Sequence, residues 1–285
     1  ELTSYQITED NIKRLSSWGA VSLKQYMQPQ RKQRQWVSDI ARKYGLMVTS
    51  EGSDLHYNLS MIMDGQTAWE HPISYMPMYS DAAKFFGKAK TVYSPTFMVG
   101  GSGPWNDEYF FAQTEVWKDE KLRLWMPWQQ LMPHSRRREL RADTDYSYPF
   151  LAQVLADIME EGGHGAIGSH GQQHGIASHW EVWVAASAMG PMGALELGTN
   201  EGAYFLGAQN DVGSLAKGKL ADLIVLNSNP LDDIKNTLDI KYVMKGGILY
   251  DGFNLDEIWP EKKKYGERPW INEDALRQDS RPINN

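Results

Sequence analysis

The sequence predicts an α/β fold built on a parallel sheet, followed by a small all-β segment. Helical and strand patterns alternate through residues 1–97 and resume at 149, which is the rhythm of βα units. Near the C-terminus, two strand-like stretches flank Gly246-Gly247, a hairpin signal. The count sets a limit: about five βα units are legible, where a closed (β/α) barrel needs eight. An open half-barrel leaves sheet edges unpaired and apolar faces wet. The barrel is therefore expected to be completed by a missing N-terminal portion, a second chain or a domain swap.

Residues 9–18 read as a helix closed by Gly19, and residues 20–26 as a strand. An amphipathic helix spans 31–44 and stops at Gly45. Residues 46–50 are a strand, 55–63 a short helix and 67–70 another strand. A helix over 78–87 and an extended stretch over 91–97 follow. From about 98 to 148 the rhythm breaks, with Gly100-Gly101-Ser102-Gly103, scattered Trp and the basic cluster Arg136-Arg137-Arg138. This insertion is either a binding lid or a helical excursion packed on the rim. Arg136 to Arg138 read as a solvated face. The rhythm returns with a helix over 149–161, a strand over 164–169, and helices over 179–189 and 191–206. Leu223–Leu226 is a short apolar strand, Asn227 to Pro230 a turn, and 240–245 and 248–250 are paired strands.

Composition narrows the function classes. The chain has 285 residues, 41% of them hydrophobic, and no apolar run approaching a membrane span. A net charge of -7 argues against a nucleic-acid partner. With no cysteine, disulfides and thiol catalysis are excluded, and either an exported or a cytosolic protein fits. The eleven Trp and fourteen Tyr can wall a cleft or simply pack.

The segment Gly213-Ser-Leu-Ala-Lys-Gly-Lys-Leu-Ala-Asp-Leu-Ile-Val-Leu226, continued to Tyr250, resembles the stretch that follows the catalytic barrel in metal-dependent amidohydrolases. Farther upstream, "KQYMQPQR", "VTSEG", "DGQTAWEH", "SPTF" and "HGQQHGIASHWE" resemble the amidohydrolase-related domain found behind β-propellers, within the imidazolonepropionase-like and prolidase-like branches. The resemblance covers essentially the whole chain and matches the C-terminal part of that domain. It implies an incomplete TIM-type barrel over 1–207 with the insertion at 98–148, a β-sandwich segment over 208–260, and a C-terminal tail over 261–285. Beginning at Glu1 with no signal peptide, the chain is expected to start part-way through such a domain. Propeller-fused relatives are commonly exported, which favours a periplasmic or exported location.

In (β/α) barrels, function gathers at the C-terminal strand ends. Lys24, Glu51, His71 and His170 each close a predicted strand there. The resemblance implies a metal centre at these four positions, holding a divalent ion, with zinc preferred. Lys24 matches a lysine that can be carboxylated to bridge two metals; it can equally pair with Glu51. His71 matches the sixth-strand histidine ligand, and a hydrogen-bonded core histidine is the plain alternative. Glu51 stands where most relatives carry a histidine, and is readable as a ligand, a catalytic carboxylate or an anchor for a substrate amine. His170 stands where the family has an aspartate that binds metal and takes the water proton. An imidazole can accept that proton but cannot bridge like a carboxylate. His170 and Glu51 are thus the candidate catalytic residues.

His174 and His179 lack a helical metal-binding frame, and His56 and His134 read as loop or surface residues. No H-x-H pair, the family's first-strand ligand motif, occurs in the sequence. The expected activity is hydrolysis of amide or peptide-like C–N bonds in a small substrate, active once the barrel is completed, with a homo-oligomer or complementing N-terminal portion as partner. The alternative is a non-catalytic remnant with a binding or assembly role.

Overall fold

A computed structural model describes residues 2–73, 77–101, 103–136, 138–268 and 270–271. Five strands form a parallel sheet in chain order: β1 (Ser22–Gln25), β2 (Met47–Glu51), β3 (Ala68–Glu70), β4 (Val92–Ser94) and β5 (His164–Gly165). Helices α1 (Tyr5–Ser17), α2 (Arg31–Lys43), α3 (Leu55–Met63) and α4 (Ser80–Lys88) precede or link the first four. The sheet does not close on itself. Among the described residues β1 and β5 are both edges, so the strand count read from the sequence holds. Apart from β2, the observed strands are shorter than expected; the one predicted over 164–169 pairs only at His164 and Gly165.

The two faces of the sheet follow from the alternation of side chains along each strand. Trp69 and Tyr93 are register partners, fully buried, and stack with centroids 4.8 Å apart against Phe86 of α4. Their neighbours Glu70 and Ser94 therefore point to the opposite face, and so does Glu51, which is in register with Glu70. Ala68, Val92 and Ala166 cover the lower part of that second face with Tyr204 and Phe205. The aromatic side is core, and the other side carries carboxylates at its C-terminal rim.

The insertion packs into the core. Its helices α5 (Asn106–Gln113), α6 (Glu120–Trp125) and α7 (Trp128–Arg136) bury Phe110, Phe111, Leu122 and Leu131 in the main apolar cluster. Phe110 stacks at 5.0 Å on Trp180. The helical excursion is thus the better reading of 98–148, because these aromatics are used up in packing. Arg138 donates to the carbonyls of Phe111 (3.3 Å) and Thr114 (2.7 Å). It is half-buried at the end of α5, not on a solvated face, since its guanidinium satisfies carbonyls that the helix leaves open. Ser102, Arg137 and the side chains of His134 and Arg136 lie outside the described residues.

Helix α8 (Tyr148–Glu160) precedes β5, and α9 (Ile176–Glu196) follows it. The sequence places a break between helices at Gly190, and α9 indeed kinks there, at φ 74, before Pro191. A π turn over Leu197–Glu201 and the short α10 (Gly202–Phe205) end the helical part. The C-terminal strands β6 (Leu223–Leu226), β7 (Ile240–Lys245), β8 (Ile248–Asp251) and β9 (Glu257–Trp259) form one antiparallel sheet. Gly246 and Gly247 both take positive φ, as the tight turn between β7 and β8 requires. A sandwich needs two facing sheets; the described residues supply a single four-stranded one, with β9 not foreseen from the sequence. Most of the tail predicted over 261–285 lies outside the described residues.

Candidate functional site

Strand register brings the candidate side chains together. Lys24 is paired with Thr49, and Glu51 with Glu70, so all four side chains share the face opposite Trp69. The Lys24 ammonium lies between two carboxylates, 2.8 Å from Glu51 Oε1 and in contact with Glu70 Oε2. Thr49 Oγ1 donates to Glu70 Oε1 at 3.0 Å. Burial lowers the Lys24 pKa, but the bonds to Glu51 and Glu70 outweigh it and hold the amine above its ordinary value. In this arrangement Lys24 is an ammonium, the state that resists carboxylation.

His71 follows the last residue of β3 and leaves the strand with φ 73. Its backbone N–H is bonded to the Ser94 carbonyl at 3.0 Å, which fixes the turn. The ring bridges two partners. Nε2 is 2.6 Å from Glu51 Oε2, and Nδ1 is 2.7 Å from the hydroxyl of Thr96, itself at φ 47. Burial, opposed by Glu51 and assisted by His170 and Lys24, lowers the His71 pKa. A neutral imidazole is the form that binds metals. The Thr96 hydroxyl can donate or accept, so it supports either tautomer.

The structure brings three of the four expected residues into one network and adds a fourth member that the sequence reading did not single out. Glu51, Glu70 and His71 each offer a ligand atom, and these atoms lie within 4.8 Å of one another. Two carboxylate oxygens and an imidazole nitrogen are a donor set for zinc or another divalent ion. An ammonium already seated between the carboxylates shows that the position favours a cation. The set therefore fits a metal.

His170 stands apart from this trio. It lies five residues beyond β5, exposed, at φ 54, because the strand stops at Gly165 and the chain turns away. Its ring meets that of His71 edge-on, with centroids 5.0 Å apart. His56 is exposed, as expected from the sequence, and His179 is half-buried one turn into α9.

The sequence pattern of the amidohydrolase family matches residues 152–249. That family consists of hydrolases acting on C–N bonds, usually with a divalent metal. Solved structures extend the likeness of fold over the rest of the chain. A Xaa-Pro dipeptidase with bound methionine superposes with TM-score 0.60 at 21% identity, over 87% of this chain and 59% of its own. The A. niger ochratoxinase gives 0.61 at 19% identity, over 95% and 57%. A molinate hydrolase gives 0.57 at 14%, over 93% and 58%. The chain thus spans about three-fifths of the length of the structures it matches. No curated protein matches it. No helix among the described residues is long and apolar enough to cross a membrane.

Thr96→Val tests the support given to His71. Valine keeps the branched shape but removes the hydroxyl, and losing such an outer partner typically weakens metal binding by about 10–100-fold. Zinc affinity measured by chelator competition is expected to fall within that range, with the fold intact.

Proposed function

We propose that the protein hydrolyses amide or peptide-like C–N bonds in small substrates, with a divalent metal at the C-terminal rim of a barrel that further strands complete. One observation carries the reading: Glu51, Glu70 and His71 converge at the ends of adjacent parallel strands, with Lys24 beside them. Glu51, Glu70 and His71 would hold the ion, which supplies a water acidified toward neutrality and polarises the scissile carbonyl. Displaced from the carboxylates, Lys24 is the residue that carboxylation would convert into a further oxygen donor. His170 faces the His71 ring from the exposed side; a ring nitrogen there can take a proton from the attacking water and return it to the leaving amine. The completing strands would come from an N-terminal portion or a second chain. They would cover β1, and also the apolar groove of about 640 Å³ between β5, α10 and β6, lined by Ala166, Leu197, Ala203 and Leu223.

A second reading, a binding or assembly role without catalysis, is favoured by the Lys24–Glu51–Glu70–His71 network itself. Its charges are already paired, as in a structural ion cluster. Elemental mass spectrometry of the purified protein, beside its intact mass and a panel of dipeptides and N-acyl amino acids, separates the two. The proposal expects stoichiometric divalent metal and turnover that chelation abolishes. A folded assembly with neither would leave the binding role.

A further inference from the structure

Glu181, on α9, is the most deeply buried carboxyl group near the rim, and the chemistry above does not use it. Its two oxygens accept the consecutive backbone N–H groups of Phe97 (3.0 Å) and Met98 (2.9 Å), and it also accepts from the N–H of Gly168. Phe97 and Met98 open a 3-10 turn, where backbone donors have no partner within the turn. A buried carboxyl group is costly to retain unless it satisfies such donors. The placement of these donors gives Glu181 its significance. Phe97 follows Thr96, whose hydroxyl holds His71 Nδ1, and Gly168 lies two residues before His170. The two loops also touch: a Cβ added at Gly168 would lie 3.1 Å from Ser94 Oγ and 3.4 Å from the Thr96 methyl. Thr96 and His170 both hold positive φ, a conformation that a β-branched or bulky residue keeps only when its surroundings impose it.

We infer that Glu181 is a positioning residue for this rim: by tying the loop after β4 to the loop after β5, it sets the Thr96 hydroxyl on His71 and the His170 ring against the His71 ring. Its hydrogen bonds go to backbone N–H groups and not to these side chains. The inference rests on the functional reading only in that it gives the rim its purpose; the tie can be tested without metal or substrate.

The experiment is ¹⁵N-detected NMR of the histidine rings in metal-free protein, comparing wild type with Glu181→Gln. The amide keeps one acceptor and turns an N–H group toward a backbone donor. His71 is expected to move from one defined tautomer to a mixture, and its contacts to His170 are expected to weaken. Ile12→Ala, which opens a cavity in the separate cluster under α1, is the control for general loss of stability; it should leave the His71 signals in place. Should Glu181→Gln not fold, Glu181→Asp serves instead, since it keeps the carboxyl group and withdraws it by one methylene. Zinc affinity by chelator competition is expected to fall at least about tenfold in the Glu181 variant and not in the control. His71 signals unchanged in a folded Glu181 variant would overturn the inference. A perturbed His71 in a protein that binds no zinc would uphold it while the metal reading fails.

Discussion

His71→Gly is expected to abolish most divalent-metal affinity while barely changing the melting temperature. The two halves of this result have separate causes. The imidazole is the only nitrogen donor in the trio, and losing even an outer partner of a ligand weakens binding by about 10–100-fold, so losing the ligand costs at least on the order of a hundredfold. The backbone moves the other way. His71 sits at φ 73, where a side chain costs about 1–2 kcal/mol that glycine does not. Relief of that strain offsets part of the packing lost with the ring. His71→Ala removes the same ring without the relief, and is expected to melt lower than the glycine variant by several degrees. Chelator competition and calorimetry on both variants give the comparison. Equal metal affinity in wild type and His71→Gly would remove His71 from the site.

The same positive φ explains what the sequence could and could not say here. Lys24, Glu51 and His71 were legible because they stand at the ends of apolar or alternating runs, and strand ends of a βα fold face one rim. Glu70 adjoins His71, yet nothing in the sequence pattern marks it as a site residue. The strand ends at Glu70, as the sequence pattern places it, but the chain then turns through the left-handed region at His71. A lone sequence gives no warning of that turn. The register Glu51 to Glu70 to Ser94 places both carboxylates on one rung, and register is a product of pairing between strands far apart in sequence. His170 was expected at a strand end for the converse reason. Residues 164–169 look extended, but only His164 and Gly165 find a partner strand. The sequence leaves the insertion open because Phe110 and Phe111 can face either a cleft or the core; Trp180, about seventy positions away, decides it.

Raising the pH from about 4.5 to 8 is expected to destabilise the wild-type protein relative to Glu181→Gln. Burial pushes the Glu181 pKa up to about 8, even though the N–H groups of Met98, Phe97 and Gly168 pull it down. A carboxyl group whose folded pKa lies above its unfolded value near 4.5 binds its proton more tightly in the folded state. Its contribution is therefore complete below about 4.5, shrinks as the unfolded chain ionises first, and is lost once the pH passes about 8. Over that window the linkage amounts to on the order of 3–5 kcal/mol, a large part of a domain's net stability. The half-buried His179 works in the opposite direction. Burial and then Lys121 push its pKa down to about 4, so its contribution is present above about 6.5 and lost as the pH falls through about 4. The difference between wild type and Glu181→Gln isolates the carboxyl group, because His179 is common to both. Denaturant unfolding at pH 5, 7 and 8.5 measures it. A wild-type stability that rises with pH relative to the variant would mean that the three N–H groups prevail over burial. Glu181 would then be a carboxylate at neutral pH, and its hold on the two loops would be that of a charge.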